Sequence, residues 1–344
     1  MLNTGTLTVV ESLISGNVAG DVGGGLHNDG VATVVRSAVD GNAAGSAGAG
    51  INNLERLVLA ESTVSGNSTA IGRGGGISNS ADAELVSTTL SGNTAGFGGG
   101  AVANFGGATL TNVTISDNAA TRQAGAILND EGSTVTLTNS IVANSTGGNC
   151  GGAGSFASDG HNLEDADTCG LTAEGDLTDT EPLLGALADN GGPTQTHALL
   201  AGSPAVDAGD DSRCPPTDQR GASRPADGNG DGTAVCDIGA HELGATVLPT
   251  PTRTPTLSRP PPATRSPTPR PSATPTPAGR VGDADCNGRV NSVDAALVLQ
   301  RNAGLLRTLP CERLADANGD GRIDAVDAAL ILQHVAGLLD RLPP

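Results

Sequence analysis

Polar and apolar positions recur through residues 1–150 with a period of 25 or 26. A unit ending in Ser-Gly-Asn or a close variant puts Asn17, Asn42, Asn67, Asn93 and Asn118 on one column, with a fading sixth copy at Asn144. A second column, after a Gly-rich step, holds Asn28, Asn53, Asn79, Asn104 and Asn129. Three aliphatic columns keep the same beat: Val9, Val34, Leu59, Leu85, Leu110; Ile14, Val39, Val64, Leu90, Ile115; and Leu26, Ile51, Ile77, Val102, Ile127. Drift confined to single residues is how stacked structural units behave. Short, mostly β-branched apolar pieces between Gly-rich corners predict three short strands per turn; a helix pair would need a longer run of helix formers. The expected fold is therefore mainly β, a right-handed parallel β-helix of about 25 residues per coil. One coil cannot bury its few inward aliphatics alone, so the fold exists only as a stack. Asn belongs at the corners, where it tolerates the left-handed conformation and where stacked carboxamides hydrogen-bond along the ladder. Gly23 to Gly25, Gly74 to Gly76 and Gly98 to Gly100 are expected at bends without room for a side chain.

The pattern changes completely after residue 280. Two loops read Asp283-Ala-Asp285-Cys-Asn287-Gly288-Arg289-Val290-Asn291-Ser-Val-Asp294 and Asp316-Ala-Asn318-Gly-Asp320-Gly321-Arg322-Ile323-Asp324-Ala-Val-Asp327. Oxygen-bearing side chains stand at positions 1, 3, 5, 9 and 12 of each, with Gly at 6 and an aliphatic at 8. Hard oxygen ligands converge on Ca²⁺ in this order, the backbone carbonyl of position 7 (Arg289, Arg322) completes the set, and Gly permits the turn. Each loop runs into Ala-Ala-Leu-Val-Leu-Gln or Ala-Ala-Leu-Ile-Leu-Gln, an amphipathic helix start. Two matching copies predict a small α-helical, EF-hand-like domain binding two calcium ions. Position 12 is Asp where an ordinary EF-hand has Glu, and Pro277 and Gly279 exclude a helix before the first loop.

This duplicated loop-helix resembles the type I dockerin module over residues 280–344. The resemblance implies two calcium ions required for folding, and docking onto a cohesin-like domain through the helices and loop positions 10 and 11. Those positions are Ser292 and Val293, then Ala325 and Val326. Of these, only Ser292 matches the hydroxyl pair usual in cellulosomal members.

Between the coils and this domain lie two further stretches. Residues 151–245 lose the period and read as irregular terminal coils that cap the solenoid. Asp189-Asn-Gly-Gly-Pro-Thr-Gln-Thr-His197, Gly202-Ser-Pro-Ala-Val-Asp207, Asp218-Gln-Arg220-Gly and Cys236-Asp-Ile-Gly-Ala-His-Glu242 look like the C-terminal region of bacterial choice-of-anchor Q proteins. That group carries β-helix repeats like those of polymorphic outer-membrane proteins, so the resemblance implies a secreted surface protein and names no reaction. Asp227-Gly-Asn229-Gly-Asp231-Gly232 repeats the first half of a calcium loop, but Val235 and Ile238 stand where positions 9 and 12 would be. Asp227, Asn229 and Asp231 are thus a candidate weaker metal site beside the plainer reading of a polar turn. Residues 246–279, dense in Pro and Thr, predict an extended disordered linker.

Composition narrows the partners. The chain of 344 residues has no Trp, Tyr or Lys, three Phe and a formal charge of −19. Such acidity argues against nucleic acid or an anionic membrane, and no apolar run approaches a transmembrane span. Six cysteines fall in sequence-local pairs, Cys150 with Cys169, Cys214 with Cys236 and Cys286 with Cys311, in no CxxC arrangement. An even set points to disulfides, with connectivity open, and to an extracellular or cell-surface location. Met1 aligns with Leu26 within a coil, so earlier coils and a signal peptide are expected upstream.

Catalysis has little support in the repeat. Glycoside hydrolysis needs two facing carboxylates, whereas Glu11, Asp40, Glu61, Glu84 and Asp117 read as scattered. Basic groups in the coils are few: Arg36, Arg56, Arg73, Arg122 and His27. His161, His197 and His241, in the capping stretch, read as structural. The expectation is a non-enzymatic scaffold or adhesion protein with a calcium-dependent docking module, and glycan is a candidate ligand of the β-helix face. The alternative is a polysaccharide lyase or glycoside hydrolase targeted by the same module.

Overall fold

The computed structural model describes residues 1–247, 280–286, 288–302, 306, 308–335, 339 and 341–342. The linker expected at 246–279 lies, apart from its first two residues, outside the described residues, as does the candidate ligand Asn287. The chain divides into two compact units, Met1–Thr254 and Pro255–Pro344.

The first unit is a parallel β-solenoid of about seven turns. Its first sheet runs from Leu2–Asn3 through Leu26–Asn28 and Ile77–Asn79 to Cys150–Gly151. The second runs from Thr6–Val10 through Arg56–Ala60 to Ser155–Ser158, and the third from Leu13–Ser15 through Thr89–Ser91 to Leu163–Glu164. Among the described residues each of these sheets has seven strands in parallel register, one per coil. A fourth sheet, of two-residue strands such as Val18–Ala19 and Ala119–Ala120, closes the turn where three strands per coil were expected. The strands alternate as a one-sided core demands: in Val31–Val35, Ala32 and Val34 are buried and their neighbours are not. The three aliphatic columns meet in one continuous core.

Both Asn columns form hydrogen-bonded ladders. Asn42 Oδ1 accepts from the backbone N of Asn17 (3.0 Å) and from its Nδ2 (2.9 Å), and Asn67 does the same for Asn42 at 2.9 Å each. In the second ladder Nδ2 donates to the next Oδ1 from Asn3 to Asn28 (2.6 Å) and onward to Asn129 (2.9 Å from Asn104). The left-handed corners, however, are not the ladder residues. They are Gly16, Gly41, Gly66 and Gly92, one place before each Asn, with Asp117 and Asn144 continuing that column. Pairing of Ser116 with Ala143 puts Asn144 level with Asp117, so the sixth copy is shifted off the Asn118 ladder. A second left-handed corner holds Glu11, Arg36, Glu61, Ser87, Asn112 and Asn139. The ladder Asn keeps ordinary backbone angles because its amide N–H must point along the stack.

At Gly99 the bend is enforced from both sides. Its φ is +65°, and a Cβ there would come within 2.3 Å of the Val102 carbonyl oxygen.

Residues 150–177 continue the stack, with Leu163 bridged to Leu177 and Cys150 bonded to Cys169. From Pro182 the chain turns back along the outer face of the third sheet rather than lying across its end. Thr63 Oγ1 donates to the Gln195 carbonyl (2.6 Å), Thr89 Oγ1 to Gln219 Oε1 (2.6 Å), and the Ala240 amide donates to Thr114 Oγ1 (2.9 Å). The cause is local: third-sheet strands read Thr-aliphatic-Ser, as in Thr63–Ser65 and Thr114–Ser116, so the aliphatic faces the core and the hydroxyls form an outward row. Such a row can satisfy irregular backbone, which an apolar row could not.

This flank is pinned by buried charge. Asp218 holds Arg220 at 2.7 Å, and Arg224 Nε lies 3.4 Å from Glu242, with Asp218, Arg224, Asp237 and Glu242 all buried. Cys214 is bonded to Cys236 beside it. Burial pushes Glu242 up to about 7 and Asp237 up to about 6 against the opposing pull of Arg224, and lowers His241 to about 4. His161 and His197 make the structural hydrogen bonds expected of them, to the Ala208 carbonyl (2.8 Å) and to Ser91 Oγ (2.9 Å). His241 departs from that expectation, since among the described residues its Nδ1 has no partner.

Candidate metal and docking site

In the second unit, helices α1 (Ser292–Asn302) and α3 (Ala325–Val335) pack together, and a short α2 (Glu312–Ala315) precedes the second loop. Ala295, Val298, Ala328 and Ile331, on their inward faces, join Ala284, Leu309, Ala315 and Ala317 in a small core. A core this thin stabilises little by itself. Cys286 is bonded to Cys311, which ties the first loop to the segment between the repeats.

The two loops are wrapped in the same way. Asp294 Oδ1 accepts from the amides of Ala284 (2.9 Å) and Asp285 (3.2 Å), and its Oδ2 accepts from Asn291 (2.9 Å). Asp327 repeats this with Ala317 (2.8 Å), Asn318 (3.2 Å) and Asp324 (2.9 Å). The Gly amide of position 6 donates to the position 1 carboxylate in both, Gly288 to Asp283 at 2.9 Å and Gly321 to Asp316 at 2.8 Å. Gly288 and Gly321 hold φ values of +84° and +83°, the turn for which the pattern requires Gly. Each helix starts at position 10, so the short carboxylate of Asp at position 12 is carried into the loop.

One oxygen from each of Asp283, Asp285 and Asp294 lies within 4.8 Å of the others, and Asp283 and Asp294 are buried. Like charges brought this close favour a divalent cation between them. Asn318, Asp320 and Asp324 line the second loop, where Asn318 Oδ1 accepts from the Asp320 amide (2.9 Å) and Asp320 Oδ1 from the Arg322 amide (2.8 Å). Arg289 and Arg322 are exposed. Ser292, Val293, Ala325 and Val326 are all exposed at the helix starts, and Val293 and Val326 are each 54% accessible. One turn and a half further on, Leu299 and Leu332 are also exposed, and sequence reading had not singled them out.

The half-loop of the first unit follows the same wrapping only as far as its Gly. Asp227 accepts from the amides of Gly230 (2.6 Å) and Gly232 (2.9 Å), and Asn229 Oδ1 accepts from Asp231 (2.8 Å). Val235 then bridges back to Ala226, and Ile238 is buried in a core. Asp207, from a separate segment, receives the amides of Gly228 (3.1 Å) and Asn229 (2.8 Å).

The carboxylates of the coils are not all scattered. Glu11, Arg36 and Glu61 share one corner column, where Arg36 lies 3.1 Å from Glu11 and 3.5 Å from Glu61. Arg56 pairs with Glu84 (2.9 Å), and Asp40 accepts from Ser65 Oγ (2.7 Å).

Residues 281–336 match the family Dockerin type I domain. The chain is thus a β-solenoid protein that carries a type I dockerin domain at its C-terminus. A solved structure from Acetivibrio cellulolyticus, of the third cohesin ScaC in complex with the ScaB dockerin mutated in its N-terminal helix (IN to SI) and displaying a type I interaction, is similar at 35% identity. The alignment covers 19% of this chain and 93% of that chain, with a TM-score of 0.19. No curated protein matches the chain.

Proposed function

We propose that the protein is a non-enzymatic extracellular or surface scaffold whose C-terminal dockerin folds on calcium and docks onto a cohesin-like domain, with the solenoid as a rigid spacer or adhesive module. The observation that carries this reading is the twofold repetition of one loop geometry, with position 12 carboxylates buried at both helix starts. The ligands are Asp283, Asp285, Asn287, Asn291, Asp294 and the Arg289 carbonyl in the first loop, and Asp316, Asn318, Asp320, Asp324, Asp327 and the Arg322 carbonyl in the second. Two ions neutralise the converging carboxylates and fix α1 and α3, whose exposed starts at Ser292–Val293 and Ala325–Val326 meet the partner. The likeness of residues 185–243 to choice-of-anchor Q proteins supports a secreted surface protein. The engagement of Glu11, Glu61 and Glu84 in ion pairs supports a structural role for the coils.

Calcium titration of the full chain by calorimetry, followed by pull-down with a type I cohesin, tests it. Two sites and calcium-dependent capture are expected. No calcium binding, or capture that survives in chelator, overturns the docking reading. Depolymerisation of a polysaccharide, lost on substitution of a coil carboxylate, overturns the non-enzymatic one.

A further inference from the structure

The apolar columns of the regular coils are aliphatic, and both phenylalanines of those coils stand outside them, half-buried at corners of the first sheet. Phe97 occupies a corner column in which the preceding coils place Asp21, Ser46 and Gly72, as the Ser46-to-Asp21 and Phe97-to-Gly72 backbone bonds show. Phe105 stands on the opposite corner, in the column of Leu54, Ser80 and Asp130. Arg73 joins the two: its guanidinium carbon lies 4.6 Å from the Phe97 ring centroid and 5.6 Å from that of Phe105. Arg122, one coil further on, stands 5.7 Å from the Phe97 centroid. Arg73, Phe97, Gln123 and Asp130 line an open cleft of about 590 Å³ together with Gly151 and Gly152 of the next coil.

Two arginines on one ring, Arg73 lining the cleft and Arg122 beside it, stand out in a chain of charge −19, and neither is held by a close carboxylate. Arg73 reaches Asp130 only at 3.7 Å. Arg122 is exposed and, among the described residues of the first unit, is the arginine with no carboxylate partner. A guanidinium stacked on a ring is held at little entropic cost while its N–H edges stay free for a carboxylate. The cleft volume falls within the usual range for small ligands, and the patch is far smaller than the roughly 800 Å² per partner of a protein interface. The surrounding negative field disfavours densely charged polymers, which leaves ligands whose carboxylates are isolated.

We propose that this cleft binds a uronic-acid residue of a glycan: Arg73, with Arg122 beside the cleft on the Phe97 ring, takes the carboxylate in place of the weak Asp130 contact, Gln123 takes a hydroxyl, the edge of Phe97 packs against the sugar ring, and Phe105 backs Arg73. The site lies wholly within the solenoid unit, so the inference does not rest on the docking reading. It makes the solenoid a glycan-contacting surface.

The test uses the aromatic proton spectrum of the full chain, which contains only three Phe and five His because Trp and Tyr are absent. Digalacturonate is titrated with and without chelator, and its methyl ester serves as the uncharged control; Phe97→Leu and Phe105→Leu assign the rings. Saturable shifts of both rings are expected, absent with the ester and unaffected by chelator. Arg122→Ala is expected to weaken the effect roughly tenfold with a melting temperature changed little, because the side chain is exposed and makes no ion pair, only its contact with the Phe97 ring. No shift with digalacturonate, equal shifts with the ester, or full binding by Arg122→Ala overturns the proposal and leaves the cluster as a cover for the sheet.

Discussion

The regular coils and the C-terminal unit bury their repeated polar side chains by opposite means. In the two ladders of the coils these groups are carboxamides, each both donor and acceptor, so one Asn satisfies the next and the array is closed by the protein itself. In the C-terminal unit the buried groups are carboxylates, which accept but cannot donate to one another. Backbone amides of Ala284, Asp285 and Asn291 supply part of what Asp294 needs. Asp283, Asp285 and Asp294 bring like charges together, an arrangement that favours a cation. An amide ladder is therefore a device of fold alone, whereas a carboxylate cage that takes a metal ties fold to solution composition.

Chelation breaks the comparison most sharply. Calcium removal is expected to abolish the helical circular dichroism of α1 and α3 while leaving hydrogen-exchange protection of the solenoid strands intact; loss of both, or of neither, would erase the distinction. Asp327→Ala should reproduce this at ordinary calcium.

Within the solenoid, Asn79→Ala removes a donor shared by Asn104 Oδ1 and the Ala81 and Gly107 carbonyls, and an acceptor for Asn53. Leaving these buried groups unpaired should cost about 3 kcal/mol, read from urea unfolding of the first unit. A value near zero would mean that water replaces the carboxamide.

A third effect is smaller and concerns the flank. Glu242 titrates at about 7 in the fold against 4.5 in a free chain, so the folded state binds more protons between these values and stability should fall as pH rises through that window. Asp237, raised to about 6 from 3.8, acts in the same direction, while His241, lowered to about 4 from 6.5, opposes both up to pH 6.5. The slope between pH 6.5 and 7 therefore belongs to Glu242, and Glu242→Gln should flatten it in a melting-temperature series. At the bottom of the scale, Arg56→Gln breaks only the exposed pair with Glu84 and should change stability by less than about 0.5 kcal/mol.

Columns spaced by a constant period were legible because stacking in register makes every coil repeat the demand on each position: Val34, Leu59 and Leu85 are aliphatic for one shared reason. The two acidic loops were legible because all their oxygen-bearing positions lie within twelve consecutive residues. The left-handed corners were misplaced by one residue, since Gly16 and Asn17 are adjacent and only backbone angles tell which one bends. The ion ladder of Glu11, Arg36 and Glu61 was missed because alternating signs in one column look like scatter. Arg73, Phe97 and Phe105 stand far enough apart in the chain to look unrelated.

By itself the sequence determined the repeat, its inward columns and the two matching acidic loops, each of which is written in local spacing. Only the tertiary structure decided where residues 182–247 go and which charges meet there. Asp218, Arg224, Asp237 and Glu242 acquire partners through a chain that folds back along the third sheet, and long-range pairing of this kind depends on which outer face offers hydroxyls to irregular backbone. No spacing along the chain encodes that choice.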